Sequence, residues 1–179
     1  MAADFAYERV VYERCPLCGH DVATIPVDHL APSIIDAARK WHEFVDAVLA
    51  DPHGAEWLRV RGTGWCGVEY AAHVRDVLSL FARRIERVVL VSEPELDWWD
   101  HETAAIDEHY REQDPRAVAE DIVEGAEELA FVLQRLRPAQ RLRVGIRRGH
   151  RFSIDGLARF ALHETLHHLE DARAVVPRP

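Results

Sequence analysis

Four long stretches of the chain repeat apolar residues at intervals of three and four, the period of a helix with one buried face. The first runs from Ser33, a suitable N-cap after Pro32, to about Ala50, burying Ile34, Ala37, Ala38, Trp41, Phe44, Val45 and Val48. Asp51-Pro52-His53-Gly54 stops it. The second spans about Val68 to Val91, with Tyr70, Val74, Val77, Leu78, Phe81, Ile85, Val88 and Val89 in its stripe. The third starts at Asp114-Pro115, a cap followed by proline in the first turn, and carries Val118, Ile122, Ala126, Leu129, Val132, Leu133 and Leu136 inward before Pro138. Ser153 caps the fourth, which reaches about Val175.

Between these helices the pattern is weaker. Residues 95–102 are polar and aromatic, a short helix fits Thr103 to Tyr110, and an arginine-rich loop or hairpin precedes Ser153. Residues 1–29 have little helical period. Within them Cys15-Pro16-Leu17-Cys18-Gly19-His20 reads as a tight knuckle, and Asp21 to Val27 as a short returning strand. The expected architecture is all-α: a four-helix bundle over residues 30–179, preceded by an irregular extension over 1–29.

Composition narrows the function classes. A chain of 179 residues with 48% hydrophobic content supports one sizeable core. A net charge of −9 argues against nucleic acid, which demands a concentrated basic surface. Charged residues interrupt every candidate membrane span, and the first residues lack the pattern of a secretory signal. A soluble cytoplasmic protein with a small-molecule substrate is the expectation. Three cysteines, two of them as C-x-x-C, fit metal or thiol chemistry better than a disulfide framework.

The strongest chemical signal is Leu162-His163-Glu164-Thr165-Leu166-His167-His168 in the last helix. Residues four apart share a face, so His163 and His167 can present two imidazoles to one ion. His73, on the inner edge of the second helix, is the candidate third ligand, and it is equally readable as a hydrogen-bonded boundary residue. Asp76, one turn from His73, is a candidate to orient an imidazole or to pair with a nearby arginine. Glu164 is a candidate outer-shell acceptor, and Asp100 and His101 candidate residues of the pocket rim. His168, Cys66 and the Arg141–Arg151 cluster read more readily as structural or solvated than as chemical. Cys15 and Cys18, with His20 and His29, are a candidate second, structural metal site.

His163-Glu164-Thr165-Leu166-His167 also spells the H-E-x-x-H string of zinc proteases. Few residues remain beyond His167 to supply a third ligand, and no edge strand is evident to align a peptide.

Taken together, Gly64-Trp65, Glu69-Tyr70-Ala71-Ala72-His73-Val74-Arg75-Asp76, Trp99-Asp100 and Leu162 to His168 resemble the DinB-like (DinB/YfiT) superfamily over roughly residues 30–175. The resemblance implies a four-helix bundle, often dimeric, with a divalent zinc or nickel ion held by His73, His163 and His167. It also implies thiol S-transfer with a low-molecular-weight thiol such as mycothiol, or a related isomerase or hydrolase reaction. A bundle that binds metal or ligand without turnover is the alternative.

Overall fold

The computed structural model describes residues 7–62 and 64–177. Its helices are α1 (Leu30–Leu49), α2 (Gly54–Trp57), α3 (Gly67–Leu90), α4 (His101–Asp107), α5 (Pro115–Gln134), α6 (Pro138–Arg141) and α7 (Ile154–Val175), with one hairpin, β1 (Val144–Arg147) and β2 (His150–Ser153). The long helices α1, α3, α5 and α7 form the bundle. α1 packs on α5 and α7, and α3 packs on the same two, so α1 and α3 occupy opposite corners. The segment between α1 and α3, described over residues 50–62 and 64–66, makes the crossing.

The amphipathic stripes account for the core. Ile34, Ala38 and Trp41 of α1, Val74, Leu78 and Ile85 of α3, Ile122 and Leu129 of α5, and Leu157, Ala161 and Leu169 of α7 are all buried. At the centre the Trp41 indole N–H donates to the main-chain oxygen of Thr165, 2.8 Å away. A large apolar ring thereby enters the core with its polar edge satisfied.

Helix ends follow local chemistry. The Asp114 carboxylate accepts from the amides of Arg116 and Ala117 at 2.9 and 3.0 Å, and Ser153 Oγ accepts from Gly156 at 3.0 Å. At α1 the structure departs from the expected Ser33 cap. The helix starts at Leu30 behind His29, because proline is tolerated in a first turn where its missing N–H has no partner to lose.

The hairpin closes with Arg148 and Gly149 at φ +52° and +79°, the positive pair that a two-residue type I′ turn requires. Glu95 bridges to Ile146 beside it. The strand expected over 21–27 is replaced by 3₁₀ turns at Val22–Thr24 and Val27–His29, and Tyr7–Val11 forms another. Pro26 stands near the end of this segment, and among the described residues no edge strand lies beside it to pair with.

The N-terminal segment packs on the bundle. Val10, Val11, Cys15 and Val22 are buried in the same core as α1, α3 and α7, and Arg159 of α7 donates to the carbonyl of Ile25 at 2.9 Å. Among the described residues no helix is long and apolar enough to cross a membrane.

Candidate metal centre

Two adjacent i, i+4 pairs on α7, one residue out of step, create two faces. His163 and His167 share one; Glu164 and His168 share the next, about 100° around the helix. The structure sends these faces to different partners.

Glu164 and His168 turn toward His73 of α3. Nε2 of His73 and Nε2 of His168 each lie 3.6 Å from Glu164 Oε2. That spacing is too long for a good hydrogen bond. It is close to the roughly 3.4 Å that separates nitrogen and oxygen ligands sharing one tetrahedrally bound ion of zinc's bond lengths. The donor set of two imidazoles and a carboxylate therefore fits a divalent ion. His73 Nδ1 is buried with no hydrogen-bond partner among the described residues.

His163 and His167 turn toward the knuckle. Ligand atoms of Cys15, Cys18, His163 and His167 lie within 4.8 Å of one another. His73 thus groups with Glu164 and His168, not with the histidine pair expected to join it. His20 and His29 lie apart from the cysteines' group: His20 faces Glu170 at 3.9 Å and exposed His29 faces Asp28 at 3.9 Å.

A cavity of about 860 Å³ opens over the Glu164/His168 face and reaches His167 at its edge, with His73 and Asp171 also among its lining residues. Its aromatic walls pin the imidazoles. Trp99 stacks on His73 at 5.3 Å and 7°, Tyr70 stacks on His168 at 5.5 Å and 22°, and Trp65 leans on His73 at 5.1 Å. Phe81 and Phe160 stack at 5.5 Å behind them. His101 lies 5.6 Å from His73, ring to ring. Asp171 Oδ2 meets Nδ1 of His168 at 2.9 Å and fixes that ring.

Electrostatics follow the geometry. Burial alone would raise the Glu164 carboxyl, but His163, His168 and His73 around it hold it well below the usual range. Burial depresses His73 and His167. For His168 burial is outweighed by Asp171 and Glu164, and its value rises to about 9.

The other expected residues take identifiable roles. Asp76 accepts from the Tyr110 hydroxyl and from Arg75 Nε, the latter at 2.8 Å. Asp100 is the N-cap of α4, accepting from Glu102 and Thr103. Cys66 caps α3 with Glu69, which accepts the Cys66 amide at 2.8 Å and Arg61 Nε at 3.0 Å.

The arginine cluster divides. Arg141 binds Asp155, Arg143 binds the carbonyls of Val88 and Val91, and Arg151 binds Glu93. Arg147 and Arg148 instead lie over Trp98 in the pocket wall, at 5.8 and 4.7 Å. Arg84, which no sequence pattern singles out, is buried beneath them, bonded to the carbonyl of Asp97 at 2.6 Å. Its signal, an arginine inside an apolar helical stripe, is shared by many ordinary surface-edge residues.

No family model matches the chain, and no curated protein sequence matches it. Among solved structures it is similar to YfiT from Bacillus subtilis, described as a probable metal-dependent hydrolase with an unusual four-helix bundle topology. The TM-score is 0.69 at 15% identity, covering 93% of this chain and 97% of that one. The chain therefore has the four-helix-bundle fold of YfiT, the fold implied by its resemblance to the DinB-like superfamily.

Proposed function

We propose that the protein is a metal-dependent enzyme acting on a small molecule, with His73, Glu164 and His168 holding a divalent zinc or nickel ion at the floor of the pocket. The observation that carries this reading is a buried carboxylate set between two imidazoles at the bottom of an open cavity. Three protein ligands facing a cavity leave room for a reactant, which is the arrangement of catalytic rather than structural sites. A divalent ion in such a set supplies a Lewis acid that makes a water or a thiol nucleophilic at neutral pH.

The chain's own residues prepare the site. Asp171 holds the His168 ring, so that its Nε2 faces Glu164. Trp99 and Tyr70 cover the two imidazoles and limit their rotation. Trp65, Phe81 and Phe160 offer an apolar wall, and Arg61, Arg147 and Arg148 place positive charge along the lining.

A wall of two characters suits two reactants. An electrophile with an aromatic or alkyl part rests against the rings, and the hydroxyl groups of a polar low-molecular-weight thiol of the mycothiol type accept hydrogen bonds from the arginines. Thiol S-transfer is the reaction this favours, and the cavity lies in the volume range of small-molecule sites. The description of YfiT as a probable metal-dependent hydrolase supports a second reading, hydrolysis, with water in place of the thiol.

The test is a paired assay of the zinc- and nickel-loaded protein. One arm follows loss of a chlorinated aromatic electrophile with mycothiol; the other follows cleavage of activated esters and amides without thiol. Thiol-dependent turnover abolished in His73→Ala supports transfer, and thiol-independent cleavage abolished by the same change supports hydrolysis. Ion binding without turnover in either arm over a broad substrate panel would reduce the protein to a binding module.

A further inference from the structure

The knuckle and the His163/His167 face of α7 supply none of the proposed pocket ligands, yet they bring together four side chains of two types suited to zinc. The knuckle is closed by two main-chain bonds, Gly19 N–H to the Cys15 carbonyl at 2.9 Å and Cys15 N–H to the His20 carbonyl at 2.9 Å. Gly19 sits at φ +75°, a conformation that side-chain-bearing residues rarely adopt. This turn presents Cys15 and Cys18 to the same side, against α7. Across 145 residues of chain, Cys18 Sγ lies 3.7 Å from His163 Nε2. Zinc bonded to a thiolate at about 2.3 Å and an imidazole at about 2.0–2.1 Å, at the tetrahedral angle, separates the two atoms by roughly 3.6 Å.

We propose that Cys15, Cys18, His163 and His167 form a closed, four-ligand structural zinc site that staples the N-terminal segment to the last helix. Three observations converge on it. Ligand atoms of all four residues lie within 4.8 Å of one another, and the two cysteines are free thiols. Cys15 and His163 are almost wholly buried, and Cys15, Cys18 and His163 stay clear of the cavity, so that of the four ligands His167 alone borders it. Among its described residues the segment being fastened has only 3₁₀ turns of its own, and irregular segments of this size usually need a metal or a disulfide to hold one conformation. Two thiolates with two imidazoles select zinc over the harder ions.

The site also bears on the pocket. His163 and His167 alternate along α7 with Glu164 and His168, so fixing the first pair fixes the rotation of the helix that presents the second.

Cobalt(II) titrated into the metal-free full-length protein tests this directly, because only thiolate ligands give an intense near-ultraviolet charge-transfer band. The wild type is expected to show the band with tetrahedral visible transitions. Cys15→Ser/Cys18→Ser is expected to lose it, together with one zinc per chain in the purified protein. His163→Cys should strengthen the band by roughly half, three thiolates replacing two. His20→Ala, His29→Ala and His73→Ala should leave it unchanged, so that failure of the pocket site and failure of this one are told apart. Absence of the band in the wild type overturns the proposal, even if the double serine variant does not fold. Loss of the band in His20→Ala or His29→Ala, or an unaltered band in His163→Cys, overturns the ligand assignment.

Discussion

His73 and Glu164 face each other across the α3–α7 interface, with Nε2 of the histidine 3.6 Å from Oε2 of the carboxylate and both residues buried. An ionised carboxylate in such a place is tolerable only when cations or an ion compensate it. Glu164→Gln keeps the shape and removes the charge. The expected outcome is a loss of divalent-ion affinity of at least about tenfold, since even changes beyond the ligands themselves cost that much. Isothermal titration with zinc or nickel into the metal-free protein measures it, and an unchanged affinity would remove Glu164 from the ligand set.

The Trp41–Thr165 bond ties α1 to the middle of the metal-bearing helix. Trp41→Phe leaves a buried carbonyl short of a donor and opens space beside it. A destabilisation of about 1–3 kcal/mol is expected, or about 2–4 °C in Tm for each kcal/mol in a chain of this size. Thermal unfolding followed by circular dichroism checks it.

Much of this architecture is legible in the chain itself. The stripes of α3 and α5, the Asp114-Pro115 start and the Ser153 cap are local signals, and local chemistry decides them. The start of α1 is less legible because Pro32 is compatible with either side of a helix boundary. The site divides in the same way. That α7 carries ligands is plain from its composition. Which pair faces α3 is not, because His163/His167 and Glu164/His168 have identical spacing and differ only in rotation about the helix axis. That rotation is set by packing against α3 on one side and the N-terminal knuckle on the other. Neither contact leaves a trace in local sequence, and the meeting of Cys18 with His163 is likewise purely tertiary.

The pair of Arg61 and Glu69 at the start of α3 gives a pH signature away from the metal ligands. Burial would raise the Glu69 carboxyl, but the Arg61 guanidinium and the Cys66 amide outweigh it and hold it below its ordinary 4.5. A depressed carboxylate stabilises the fold fully above its unfolded value, and that contribution is lost as pH falls through the folded value. Urea unfolding should therefore show wild type more stable than Glu69→Gln at neutral pH. The gap should be constant down to about that ordinary value and shrink at lower pH. A gap that widens on acidification would contradict the assignment.

Asp114 caps α5 with two amide bonds. Asp114→Ala is expected to cost about 1 kcal/mol and to leave metal binding and activity intact, as measured by urea unfolding and the paired assay.

The central claim is that the pocket ion is held by His73 with Glu164 and His168, separately from the thiolate-bearing site. Metal content of Cys15→Ser/Cys18→Ser with and without His73→Ala, measured by plasma mass spectrometry after equilibration with zinc, isolates it. The account predicts one bound ion in the first protein and none in the second. An unchanged ion content after loss of His73 would contradict it.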